Sequence, residues 1–176
     1  QNITLTIASG SDVSLPRQLI VQGRLVADGV TFSGSGGVLV DARGQANISN
    51  STISGSLLEL RPSSTTGSSL QIASSQLTAT SVRAGATARP AQGSVVLNAV
   101  TAALSQVSVI TAAPSSFVDS SFSSSSVKVV GSNPLVTRNT FNSSTLTVGD
   151  QAVRSVTTDT QRITANTFSE TSLAFG

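Results

Sequence analysis

The sequence predicts an all-β chain, a right-handed parallel β-helix (solenoid) of about seven to eight coils with roughly three short strands per coil. Three observations predict it. A six-residue phrase recurs with an apolar residue at each end. Apolar residues spaced two apart follow nearly every copy at a fixed distance. The interval between copies varies while the frame within each copy does not.

The phrase is plainest at Val136–Phe141 and Ile163–Phe168. The same frame fits Phe117–Phe122, Ile48–Ile53, Ile72–Leu77, Leu97–Ala102 and Ala27–Phe32. The residue before each closing apolar landmark is Thr31, Thr52, Gln76, Thr101, Ser121, Thr140 or Thr167, nearly always a hydroxyl. Five and seven positions after the landmarks come Leu58 and Leu60, Val82 and Ala84, Val107 and Val109, Val127 and Val129, Leu146 and Val148, and Leu173 and Phe175. The first copy is one residue longer and gives Val38 and Val40. Apolar residues two apart mark a strand with one buried face. Landmarks recur after 21, 24, 25, 20, 19 and 27 residues. Strands held in register while loops change length describe stacked coils. The handedness of parallel crossovers argues for the right-handed form. No segment keeps a 3.6-residue period, and Ser, Thr, Val and Gly disfavour long helices. A β-sandwich would explain alternating strands but not the repeated frame.

The chain is read as one segment, 1–176, with regular coils over 26–176. Residues 1–25 read as an irregular first coil or an insertion. Ile3, Leu5 and Ile7 suggest a strand, and Val13 and Leu15 another before Pro16. The start at Gln1 and the lack of visible end caps suggest an excised part of a longer chain or assembly, because open coil ends expose unpaired backbone.

The phrase apolar-x-x-Asn-x-Phe, followed by a short apolar-x-apolar strand, resembles the repeat of pectin-lyase-like parallel β-helix proteins. The resemblance spans about residues 19–176. It implies that Asn139 and Asn166 turn the chain between two strands in the left-handed conformation, which Asn tolerates well. Val30, Ser51, Ser75, Val100 and Ser120 hold the equivalent positions, so the asparagine ladder is incomplete. The resemblance implies a fold and no single function, since that fold carries lyases, hydrolases, tailspikes and adhesins. In broad style the chain is also similar to filamentous-haemagglutinin-type bacterial adhesins and to the long β-helical surface proteins of trypanosomatids.

Composition narrows the chemistry. Among 176 residues, 49 are Leu, Ile, Val or Phe, too many for a disordered chain. With no Cys and no His, thiol chemistry, disulfides, Cys/His metal sites and imidazole relays are excluded. The net charge is only +2, with no basic run and no Trp or Tyr, which argues against nucleic acid. No apolar stretch is long enough to span a membrane as a helix. Cofactors are not expected.

A polysaccharide lyase or hydrolase would need clustered acids. In the repeat frame the acids scatter. Asp28 and Asp119 lie four coils apart, Asp41 and Asp150 five, and Glu59, Asp159 and Glu170 have no acidic neighbour in the frame. No catalytic residue is therefore assigned, and an enzyme is not expected. Two opposite-charge pairs align in adjacent coils, Glu59 with Arg83 and Asp119 with Arg138, and read as exposed salt bridges. Phe122, Phe141 and Phe168 occupy the landmark in consecutive coils and read as an internal aromatic stack. Phe141 and Phe168 are expected to be buried. Ser123–Ser126 reads as a turn. Asn2, Asn47, Asn50 and Asn142 open N-x-Ser/Thr sequons and are the candidate N-glycosylation positions. Thr4 and Thr6, Thr78 and Thr80, and Thr145 and Thr147 form Thr-x-Thr segments. They do not share one frame position in adjacent coils, so strand propensity explains them better than ice binding.

The expectation is an extracellular or cell-surface structural or adhesive solenoid without catalysis of its own. Two alternatives stand beside it. One is a filament subunit stacking through its coil ends. The other is a non-catalytic part of a polysaccharide-binding or polysaccharide-degrading protein. Expected partners are neighbouring coils or like subunits end to end, with a carbohydrate or host-surface ligand as a further candidate.

Overall fold

Short alternating segments rich in Val, Ile, Thr and Ser cannot close a core alone. Each buries its apolar face only by stacking on its equivalent in the next coil. The structure, a computed structural model, shows that stacking over residues 3–61, 65, 67–131, 134–150 and 163–175, which are the residues it describes. Three parallel sheets of eight strands each form a solenoid, and every strand pairs with those three places before and after it. The described residues contain no helix. The first rung is Thr4–Ile7, Asp12–Ser14 and Gln18–Val21, and the last is Ile163–Thr164, Thr167–Ser169 and Ser172–Phe175.

The repeat frame is the strand register. Ala27, Ile48, Ile72, Leu97, Phe117, Val136 and Ile163 are successive partners in the first sheet. Phe32, Ile53, Leu77, Ala102, Phe122, Phe141 and Phe168 are partners in the second. Leu58, Val82, Val107, Val127, Leu146 and Leu173 do the same in the third. These inward rows make one continuous core.

Residues 1–25 were expected to be irregular. Instead, residues 4–21 form a rung with a strand in each sheet, in register with the next: Leu5 with Leu25, Val13 with Phe32 and Leu19 with Val38. Its corners are longer, spanning 8–11 and 15–17, which hides the frame in the sequence.

Corners between the first and second sheets are two residues long from 29–30 onward. The first of each pair adopts the left-handed conformation: Gly29, Asn50, Ser74, Ala99, Asp119, Arg138 and Ala165. The corner to the third sheet repeats this at Gly55, Ala79, Leu104, Ser124, Ser143 and Glu170. The reversal of φ turns the second residue's side chain inward. Asn139 and Asn166 are those second residues, so the expected left-handed asparagines are corrected. Arg138 and Ala165 carry positive φ, and the asparagines point inside. The third corner differs. Where all its residues are described it spans 22–23, 41–44, 85–93 and 112–115, and its length changes while the strands stay in register.

Phe141 is fully buried, with its ring 5.1 Å from that of Phe122 and 5.3 Å from that of Phe168. Phe168 keeps the expected register but is 40% exposed, against the expectation of burial. It lies in the last described rung, and only one face of its ring is covered.

Candidate functional site

Two ladders of polar side chains run inside the corners, and the sequence reading missed most of both. At the first corner, the Val30 N–H donates to Ser51 Oγ, and the Ser51 N–H to Ser75 Oγ. Further along, the Val100 N–H donates to Ser120 Oγ, the Ser120 N–H to Asn139 Oδ1, and the Asn139 N–H to Asn166 Oδ1. Each of these side chains also donates to a carbonyl: Ser120 Oγ to Val118 O, and Asn139 Nδ2 to Phe117 O. At the second corner, the N–H groups of Thr80, Ser105 and Ser125 donate to the hydroxyls of Ser105, Ser125 and Ser144. Buried N–H groups left unpaired would be costly, so small hydroxyl or amide residues recur here. Ser123–Ser126 divides accordingly. Ser123 ends a strand, Ser124 turns, Ser125 points inward and Ser126 begins the next strand.

Among the described residues, the charged side chains sit mostly on corners and on two of the three outer faces. Asp119 and Arg138 form the expected pair, with Nε to Oδ1 at 2.6 Å and the second nitrogen to Oδ2 at 2.8 Å. The guanidinium holds the Asp119 carboxyl below its ordinary value, and the carboxylate raises Arg138 in turn. Glu59 and Arg83 are register partners as expected, but no ion pair closes between them. Arg83 donates instead to Ser81 Oγ and Gln106 Oε1, so that expectation is corrected. An unforeseen pair joins Arg61 to Asp41 at 3.5 Å. Asp28 accepts from Ser49 Oγ and Asn50 Nδ2, each at 2.7 Å, and these bonds lower its pKa. Asp28 and Asp119 stay in separate rungs, four apart. Asp159 and the side chain of Asp150 lie outside the described residues. Among those described, no group of three acids gathers where a cation could be held.

The candidate glycosylation positions differ in setting. Asn2 lies outside the described residues. Asn47 is half-buried within the first sheet between Val26 and Gln71. Asn50 is exposed on a corner, its amide committed to Asp28. Asn142 is exposed at the end of a second-sheet strand, and its carbonyl accepts from Ser144 Oγ. The three Thr-x-Thr segments split as well. Thr4 and Thr6 are on the first sheet and Thr145 and Thr147 on the third, while Thr80 is buried at a corner.

The second sheet presents the most uniform outer surface. Its strands are Asp12–Ser14, Thr31–Ser33, Thr52–Ser54, Gln76–Thr78, Thr101–Ala103, Ser121–Ser123, Thr140–Asn142 and Thr167–Ser169. Each central residue points into the core and its two neighbours point out. One outward row reads Asp12, Thr31, Thr52, Gln76, Thr101, Ser121, Thr140, Thr167. The other reads Ser14, Ser33, Ser54, Thr78, Ala103, Ser123, Asn142, Ser169. Near one end of the solenoid, a cavity of about 240 Å³ is lined by Ile3, Leu5, Leu19 and Ile20 with their neighbours. Among the described residues, no helix is long and apolar enough to cross a membrane. Compared with protein-family models, with curated proteins and with solved structures, the chain matches none of them.

Proposed function

We propose that the chain is a structural or adhesive β-solenoid segment, extracellular or displayed at a cell surface, without catalysis of its own. The observation that supports this reading is the uninterrupted stack of eight rungs with largely uncharged Ser, Thr, Asn and Gln outer faces. Such a rod sets distance and offers a broad face for many weak contacts. The acids of the described residues are dispersed along it and tied to local partners, Asp28 by Ser49 and Asn50, and Asp119 by Arg138. Negative-stain electron microscopy of dilute material, together with a glycan array, tests the reading. Isolated short rods are expected. Release of reducing ends or unsaturated sugars from pectin-like polymers would overturn it and favour a polysaccharide-active protein.

A second reading, a filament subunit, is favoured by one observation. Both terminal rungs expose apolar side chains, with Ile3 at 73% and Ile20 at 51% at one end and Phe175 at 70% at the other. Parallel strand edges there can accept a further rung. Long uniform fibres in the same micrographs would select this reading.

A further inference from the structure

We propose that the outer face of the second sheet binds ice, a function beyond the structural role above. The register brings together hydroxyls that the sequence scatters. Thr31, Thr52, Thr101, Ser121, Thr140 and Thr167 belong to one row, and Ser14, Ser33, Ser54, Thr78, Ser123 and Ser169 to the other. Of the Thr-x-Thr segments visible in the sequence, Thr78 alone joins this array. The array comes from the residues flanking each landmark, one rung after another. Parallel pairing spaces each row at about 4.8 Å, and the pleat separates the rows by about 6.6 Å. Gln76, Ala103 and Asn142 interrupt the array without adding charge.

Two further observations distinguish this face. The first is charge. The first sheet carries Arg24 and Asp28 on its strands, and the third carries Glu59, Arg83 and Lys128. The second sheet carries only Asp12, in the first rung. Of the corners beside it, one holds Asp119 and Arg138, which neutralise each other, and the other holds Arg17 in the first rung and Glu170 in the last. The second is the state of the hydroxyls. None of the six in the threonine-rich row hydrogen-bonds to another part of the chain, whereas the corner serines are committed to the backbone.

These features fit a neutral, periodic partner that exchanges hydrogen bonds without bringing charge. The oxygen layers of hexagonal ice repeat close to the pitch of a parallel β-solenoid. Water held on such rows is therefore already placed near lattice positions. Threonine adds a methyl group that restricts its own rotamer and fills the trough between rungs. A crystalline polysaccharide is also neutral and periodic, but flat sugar faces are gripped by Trp and Tyr, and this chain has neither.

The test measures incorporation of the full chain into slowly growing ice, with thermal hysteresis and crystal shape recorded alongside. Thr52→Lys with Thr101→Lys places charge in the row. Lys128 already stands at an outward position of the third sheet, so the strand geometry accepts lysine. Thr52→Gln with Thr101→Gln is a second variant, using a residue the row accepts at Gln76. Gln71→Lys and Ser108→Lys, on the other two sheets, are controls. Circular dichroism confirms folding of each. The expected result is enrichment of the parent chain and both controls in ice, with loss of enrichment in both second-sheet variants. Exclusion of the parent chain from ice overturns the proposal. Equal loss in the control variants overturns it too. Sedimentation with microcrystalline cellulose, without uptake into ice, overturns it and assigns the face to a polysaccharide.

Discussion

Replacing Phe141 by alanine probes the stacking that holds the rungs together. The ring is fully buried, with one phenylalanine ring above it and one below, at 5.1 and 5.3 Å. Truncating a buried phenylalanine costs about 3–5 kcal/mol, depending on how far the site can collapse. Here collapse is restricted, because strand separation is fixed at about 4.8 Å by the hydrogen bonds of three sheets. Each stacked contact adds about 0.5–1.5 kcal/mol beyond its area. The expected loss is therefore about 4–5 kcal/mol. Phe168→Ala removes a ring that is 40% exposed and stacked on one side only, and should cost about 1–2.5 kcal/mol. The chain has no Trp or Tyr, so far-ultraviolet circular dichroism must follow unfolding in guanidinium. The midpoint should shift at an unchanged slope. A Phe141→Ala loss below about 1.5 kcal/mol, or a Phe168→Ala loss equal to it, would refute the idea that stacking sets the cost.

Further outcomes are expected at four other sites. Asn139→Val orphans the buried Ser120 N–H, while the Phe117 carbonyl keeps its place in the strand ladder, and should cost about 1–3 kcal/mol by denaturant titration. Asn139→Ser should cost about 1 kcal/mol or less, because Ser120 serves the same ladder one rung earlier. Leu104 is 69% exposed at φ 51°, so Leu104→Gly should raise stability by about 1 kcal/mol in the same titration. A Cβ on Gly37 would sit 1.8 Å from the Leu57 carbonyl oxygen, so Gly37→Ala should lower the thermal midpoint with a loss of about 3 kcal/mol. Arg138 depresses the Asp119 pKa, so their contribution is complete above the ordinary value of 3.8 and is lost as pH falls from there. Asp119→Asn should flatten that acid-side fall in thermal midpoint and leave the neutral side unaltered in slope.

The register was legible because its signal is apolar and repeated. The residues five before each landmark and those following it are core positions, and burial leaves little choice there. The first rung was not legible, because extra residues at 8–11 and 15–17 shift its strands out of the common frame. Asn139 was found at the right position with the wrong role. Sequence alone does not say which of two corner residues reverses φ, and here Arg138, Ala99 and even Leu104 accept it. The strands on both sides leave them no other path. The serine ladders were hidden for a different reason. Hydropathy treats Ser105 and Ser125 like the outward Ser121, although the first two are buried and bonded. Their recurrence at one frame position was the available signal. Glu59 and Arg83 show the converse limit, since shared register did not decide which partner an exposed arginine would choose.

The unequal corners make the solenoid asymmetric in what it can tolerate. Most rungs turn twice through two-residue bends that also seat the internal ladders, so an added residue there would break both pairing and polarity. The third bend has already lengthened to nine residues between Ala84 and Ser94 without moving either strand out of register. Insertions there cost little closure entropy. Segments grafted into that bend on successive rungs would emerge in a single file, like hooks along one rail. Their order would be set by the sequence and their separation by the stacking of the rungs.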